Sequence, residues 1–115
     1  MKFNEAWKSP LLNLVAKAGD SLTTYVALTS YPDFIHERNP IGATLIKEIG
    51  LLEALLFSSI GHMGITLLVS LYIYKGAVKE DGESTAKKYY NTLNLFGASI
   101  AGLAALLNVN TILNV

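Results

Sequence analysis

The chain has 115 residues, about half of them hydrophobic and only 16% charged, with nine basic side chains balancing nine acidic ones. Soluble domains carry about a quarter charged residues, so the deficit points to a membrane environment. Zero net charge without a long basic tract argues against nucleic acid as a partner, and the absence of cysteine removes disulfides, thiolate metal sites and cysteine nucleophiles.

Residues 1–8 hold Lys2 and Lys8 but also Glu5, and the apolar stretch that follows is interrupted by Lys17 and Asp20. No small-x-small motif follows an uninterrupted apolar core, so no cleaved signal peptide is expected. The first helix is predicted over 10–30, with Ser9 as N-cap and Pro10 in the first turn. Asn13, Lys17, Asp20 and Thr24 are spaced four, three and four apart and share one face. Leu11, Val15, Ala18, Leu22 and Val26 form the opposite face. Such a helix has one side for lipid and one that must be covered. A helix lying in the headgroup layer is the alternative.

Residues 31–39 read as a loop, and Asn39-Pro40 as a helix start. No proline occurs again before residue 75, which allows one helix over 40–75. At 1.5 Å per residue it is about 53 Å long, too long for a bilayer core of about 30 Å. Either 40–50 projects beyond the membrane or the helix bends at Gly50. The part predicted to span is 51–74, a run of 24 residues whose only ionisable groups besides tyrosine are Glu53 and His62. Residues 75–88 read as a polar connector, and 89–109 as the third helix, with Tyr89 and Tyr90 as interfacial anchors. The fold class expected is therefore all-α: one domain over 1–115, an integral membrane bundle of three transmembrane helices.

Loop charges orient the bundle. Lys2 and Lys8 flank the first helix, and Lys75, Lys79, Lys87 and Lys88 lie in the second connector, against Arg38 alone in the first loop. An odd number of spans puts the first two groups on one side, which the positive-inside rule makes cytoplasmic. The expected location is the cell membrane, multi-pass, with the N-terminus cytoplasmic and the C-terminus outside.

Asp20 and His62 are the candidate intramembrane polar pair. Counted from the outer boundary, both lie about 15 to 17 Å deep. Burying a charge there costs at least about 2.5 kcal/mol, so each needs a partner or a water path. Two readings stand: a proton relay or half a metal site, and a hydrogen bond that joins two helices. His36, Glu37, Glu48 and Glu53 are other conceivable ligands, all near the outer face. The Glu-x-x-His spacing of carboxylate metal sites is absent, so no metal, cofactor or catalytic residue is assigned. Gly50, Ala54, Ser58 and Gly61 on the second helix, with Ala98, Ala101, Gly102 and Ala105 on the third, form small-residue faces suited to close helix packing.

The D-S-L-T-T-Y stretch at 20–25, followed by E-R-N-P at 37–40 and by Gly50, resembles a family of small uncharacterised prokaryotic integral membrane proteins. These share an Asp-x-x-x-Thr helix and a Glu-x-Asn-Pro turn into a second span. The resemblance covers about residues 13–75 and implies a membrane protein of three or four helices, with no activity attached. The function expected is a non-catalytic accessory subunit packing on a larger membrane complex, such as a respiratory oxidase or a membrane monooxygenase. The alternative is a homo-oligomeric transporter or channel with Asp20 and His62 lining its path. An enzyme using the outer carboxylates ranks third.

Overall fold

The computed structural model describes residues 1–31 and 40–114, so His36, Glu37, Arg38 and Asn39, with most of the expected first loop, lie outside the described residues. The described residues form only helices: α1 Phe3–Ala6, α2 Lys8–Ser30, α3 Pro40–Ile49, α4 Leu51–Asp81 and α5 Glu83–Leu113. Two of them, α4 and α5, are long and apolar enough to cross a membrane. α2 has 23 residues but carries Lys17, Asp20 and a series of hydroxyl and amide side chains.

Two boundaries differ from the expectation and a third takes one of the two forms expected, each for a local reason. Ser9 does not cap α2. It lies inside the helix, and its hydroxyl donates to Asn91 Oδ1 at 2.8 Å. Pro10 still falls in the first turn, where its missing N–H costs nothing. The long second helix takes the bent form. Gly50 has φ +97° and ψ 160°, a region open in practice only to glycine, and it separates α3 from α4. The polar connector is itself helical. Residues 75–81 and 83–88 are mostly alanine, lysine and glutamate without proline, so α4 runs on to Asp81 and α5 starts at Glu83 rather than at Tyr89. Gly82 alone reverses the chain, with φ +87°.

The three long helices lie side by side. Ser9 meets Asn91 near the start of α2 and Asp20 meets Asn108 farther along, so α2 and α5 run parallel. The N-terminal ammonium meets Tyr74 Oη at 2.9 Å and Ser21 meets Ser59 at 2.8 Å, so α4 is antiparallel to both. The core is made of small and polar side chains: Ala27, Ala54, Ala77, Ala86 and Ala101, the ring of Tyr90, and Ser9, Asn13, Ser70 and Asn94. Large apolar side chains point outward along every long helix, among them Leu11, Val15, Leu22, Ile60, Ile65, Leu68, Phe96 and Leu103. This is the reverse of a water-soluble bundle, which buries such side chains on one stripe.

Candidate functional site

The polar face of α2 is covered by its own neighbours. Asn13 is fully buried, and its Oδ1 lies 2.7 Å from His62 Nε2 of α4. With an amide oxygen as the acceptor, Nε2 carries the proton. One turn along, Lys17 Nζ lies 2.9 Å from Asp20 Oδ2, with the two side chains 13% and 15% exposed. Asn108 of α5 then closes the group. Its amide nitrogen donates toward Asp20 Oδ1 at 3.2 Å, Thr23 Oγ1 at 3.0 Å and Thr24 Oγ1 at 2.8 Å. Whereas Ser9 and Ser21 bond across to α5 and α4, several hydroxyls along the bundle bond back to their own helices, as Thr66 does to the His62 carbonyl and Ser70 to that of Thr66. In apolar surroundings this satisfies a donor without a partner helix.

Asp20 and His62 therefore share no hydrogen bond among the described residues. The Ser21–Ser59 contact sets Asp20 about level with residue 60, so the two backbones differ by roughly 3 Å along the axis. Rotation about the helix axes separates them. Asp20 turns toward Lys17 and Asn108, and His62 toward Asn13. An amide holds no titratable proton, so the Asn13–His62 bond is a structural link and not a relay step. Glu48 and Glu53 are exposed, and no three His, Asp or Glu side chains converge as a metal site among the described residues.

The small residues divide between two roles. Ala54 and Ala101 are buried, and Ala105 Cβ stands 3.9 Å from where a Cβ on Gly19 would lie. Gly50 is a helix break, and Ser58 and Gly61 line a cleft. Ala98 is half-buried, and a Cβ on Gly102 would meet nothing within 4 Å. The tightest crossing involves a residue outside both expected faces. A Cβ on Gly97 would lie 2.9 Å from Asn13 Nδ2 and 3.1 Å from Thr66 Cγ2. The inward stripe of α5 is Tyr90, Asn94, Gly97, Ala101 and Asn108, all of which lie at helical spacing on one face. Of the expected face, Ala101 belongs to this stripe and Ala105 faces Gly19, while Ala98 and Gly102 lie one residue, or about 100°, around from Gly97 and Ala101. The asparagines at 91, 94 and 108 were the available signal, because amides in an apolar helix seek a protein neighbour.

The cleft has a volume of about 950 Å³ and lies between α2, α3, α4 and α5. Lys17, Asp20, Thr24 and Asn108 bring polar groups to it, and residues of α3 and α4 bring apolar ones. Comparison with family models, with curated proteins and with solved structures returns no match.

Proposed function

We propose that the chain is a small integral membrane protein in which α2, α4 and α5 cross the bilayer together, and that it acts as a non-catalytic subunit packing on other membrane helices. The observation that carries this reading is the inside-out distribution of side chains. Ionic and amide groups are gathered between the three helices, where most of them pair, with Asn13 Nδ2 and Asn94 Oδ1 left without a partner, and large apolar side chains cover the exterior. Water does not tolerate that exterior, but lipid and apolar partner helices do. α2 counts as the third span because its charges pair within the bundle while Leu11, Val15 and Leu22 face outward. The N-terminal segment lies beside the α4–α5 turn, where Lys87 Nζ meets Glu5 Oε2 at 3.0 Å. That arrangement supports three crossings with this lysine-rich end in the cytoplasm. The likeness to small prokaryotic membrane proteins through Asp20, Thr24 and Gly50 belongs to the same reading.

The polar stripe of α2 makes bonds within the chain, to His62 of α4 and Asn108 of α5, and so does not by itself call for a partner helix. The open strip around Ala98 and Gly102 does, because small side chains let another backbone approach. A homo-oligomeric transporter is the second reading, favoured by the cleft that reaches Lys17 and Asp20. The test is the mass of the assembly after native-level expression and mild detergent extraction. A stoichiometric complex with larger subunits supports the accessory role. A particle built only of 12.4 kDa protomers favours the transporter.

A further inference from the structure

The cleft brings a polar wall and an apolar wall together. On one wall, the ammonium of Lys17 has three N–H donors, and Asp20 Oδ2 accepts one of them. Asn108 spends its amide nitrogen on Asp20, Thr23 and Thr24, which leaves its carbonyl oxygen outside those bonds. The facing wall is apolar, with Leu45 and Ile46 of α3 and Leu55 and Phe57 of α4. Phe57 and Leu107 line the cleft and are 63% and 66% exposed, so the opening faces sideways into the surroundings of the bundle. The volume lies within the range of small-molecule sites, about 300 to 1,000 Å³.

We propose that this cleft binds one long-chain, uncharged amphiphile with a small hydroxyl-bearing head, which accepts from Lys17 and donates to Asn108. The head takes the remaining donors of Lys17 and the carbonyl of Asn108, and the chain lies along Leu45, Ile46 and Leu55 and leaves past Phe57. Charge selects against other heads. Lys17 and Asp20 are paired at 2.9 Å, so an anion has to displace Asp20 and a cation has to displace Lys17. Depth selects against ordinary phospholipid. Asp20 is level with about residue 60 of α4, some ten residues or about 15 Å from Gly50, where a zwitterionic head is costly to bury. The inference concerns the occupant of the cleft and does not depend on which complex hosts the chain.

The test uses the full chain in phosphatidylcholine nanodiscs and a monooleoylglycerol probe with a diazirine in its acyl chain. The expected result is saturable photolabelling of the peptides carrying Leu45, Ile46 and Leu55, competed by unlabelled monooleoylglycerol. Gly61→Phe should abolish it, because Gly61 lines the cleft and a Cβ there meets nothing within 4 Å, so the added ring obstructs the path of the chain. Asn108→Leu should weaken it by about tenfold, the value of one lost hydrogen bond at the upper end. Reversible unfolding with the cooperativity of the parent chain shows that each variant has kept its packed fold. Labelling that does not saturate, that a diazirine phosphatidylcholine reproduces equally, or that survives Gly61→Phe would overturn the proposal. So would the absence of labelling in these peptides, the result expected if protein fills the cleft.

Discussion

Gly97→Ala tests the packing of the three helices at its tightest point. Two effects oppose one another. Alanine in place of glycine inside a helix gains about 1 kcal/mol of helix propensity. Against this, the new methyl would stand 2.9 Å from Asn13 Nδ2, 3.2 Å from Asn13 Oδ1 and 3.1 Å from Thr66 Cγ2. Forcing extra bulk into a packed site costs about 1 to 3 kcal/mol. The Asn13 amide cannot swing away freely, because its oxygen is 2.7 Å from His62 Nε2 and its residue is fully buried. Moving it strains or breaks that bond, at about 0.5 to 1.5 kcal/mol more. The net expectation is destabilisation by about 1 to 3 kcal/mol. Gly102→Ala is the internal control, since its methyl meets nothing within 4 Å and should leave stability unchanged or raise it by up to about 1 kcal/mol. Reversible unfolding of both variants in one detergent measures the difference. Equal stabilities, or a more stable Gly97→Ala, would refute the placement of α5 against Asn13 and Thr66.

Further outcomes follow from the same contacts. A double-mutant cycle of Asn13→Ala and His62→Ala should show favourable coupling of about 0.5 to 1.5 kcal/mol, whereas Asp20→Ala with His62→Ala should show little; the reverse order would restore the direct Asp20–His62 pair. Gly82→Ala should cost about 1 to 3 kcal/mol, because φ +87° with ψ 163° suits only glycine, and an unchanged unfolding midpoint would argue against the one-residue reversal. The hydrogen bond from Lys87 holds the Glu5 carboxyl below its ordinary value of 4.5, so its contribution is fully present above that pH and is lost as pH falls through the depressed value. Glu5→Gln should flatten that part of the acid limb, and an identical acid limb would remove the Glu5–Lys87 contact from the account.

Helical class and the outward face of α2 are legible from periodicity, because Leu11, Val15 and Leu22 repeat on one side and Asn13, Lys17 and Asp20 on the other. Composition misleads at 75–88. Lysine and glutamate there look like a loop, yet both are good helix formers, and only Gly82 breaks the run. The same kind of signal hides the partner of His62. Depth can be counted along each helix, but which side chains meet depends on the rotation of two helices about their axes, and no single-helix pattern carries it. Counting small residues selects Ala98 and Gly102 and passes over Gly97, the glycine that stands where three helices converge. Asn94 and Asn108 mark the inward face of α5 better than its small residues do, because an amide costs several kcal/mol if left facing lipid.

The three-crossing arrangement is tested most directly by placing single cysteines in a chain that has none. Asn4→Cys, Asp81→Cys and Asn114→Cys report the start of α2, the α4–α5 turn and the end of α5. Intact cells are treated with a membrane-impermeant maleimide, then opened and treated again. With three crossings, Asn114→Cys reacts in intact cells, while Asn4→Cys and Asp81→Cys react only after the cells are opened. Asn4→Cys and Asn114→Cys reacting from the same side would mean that α2 does not cross, and would contradict the account.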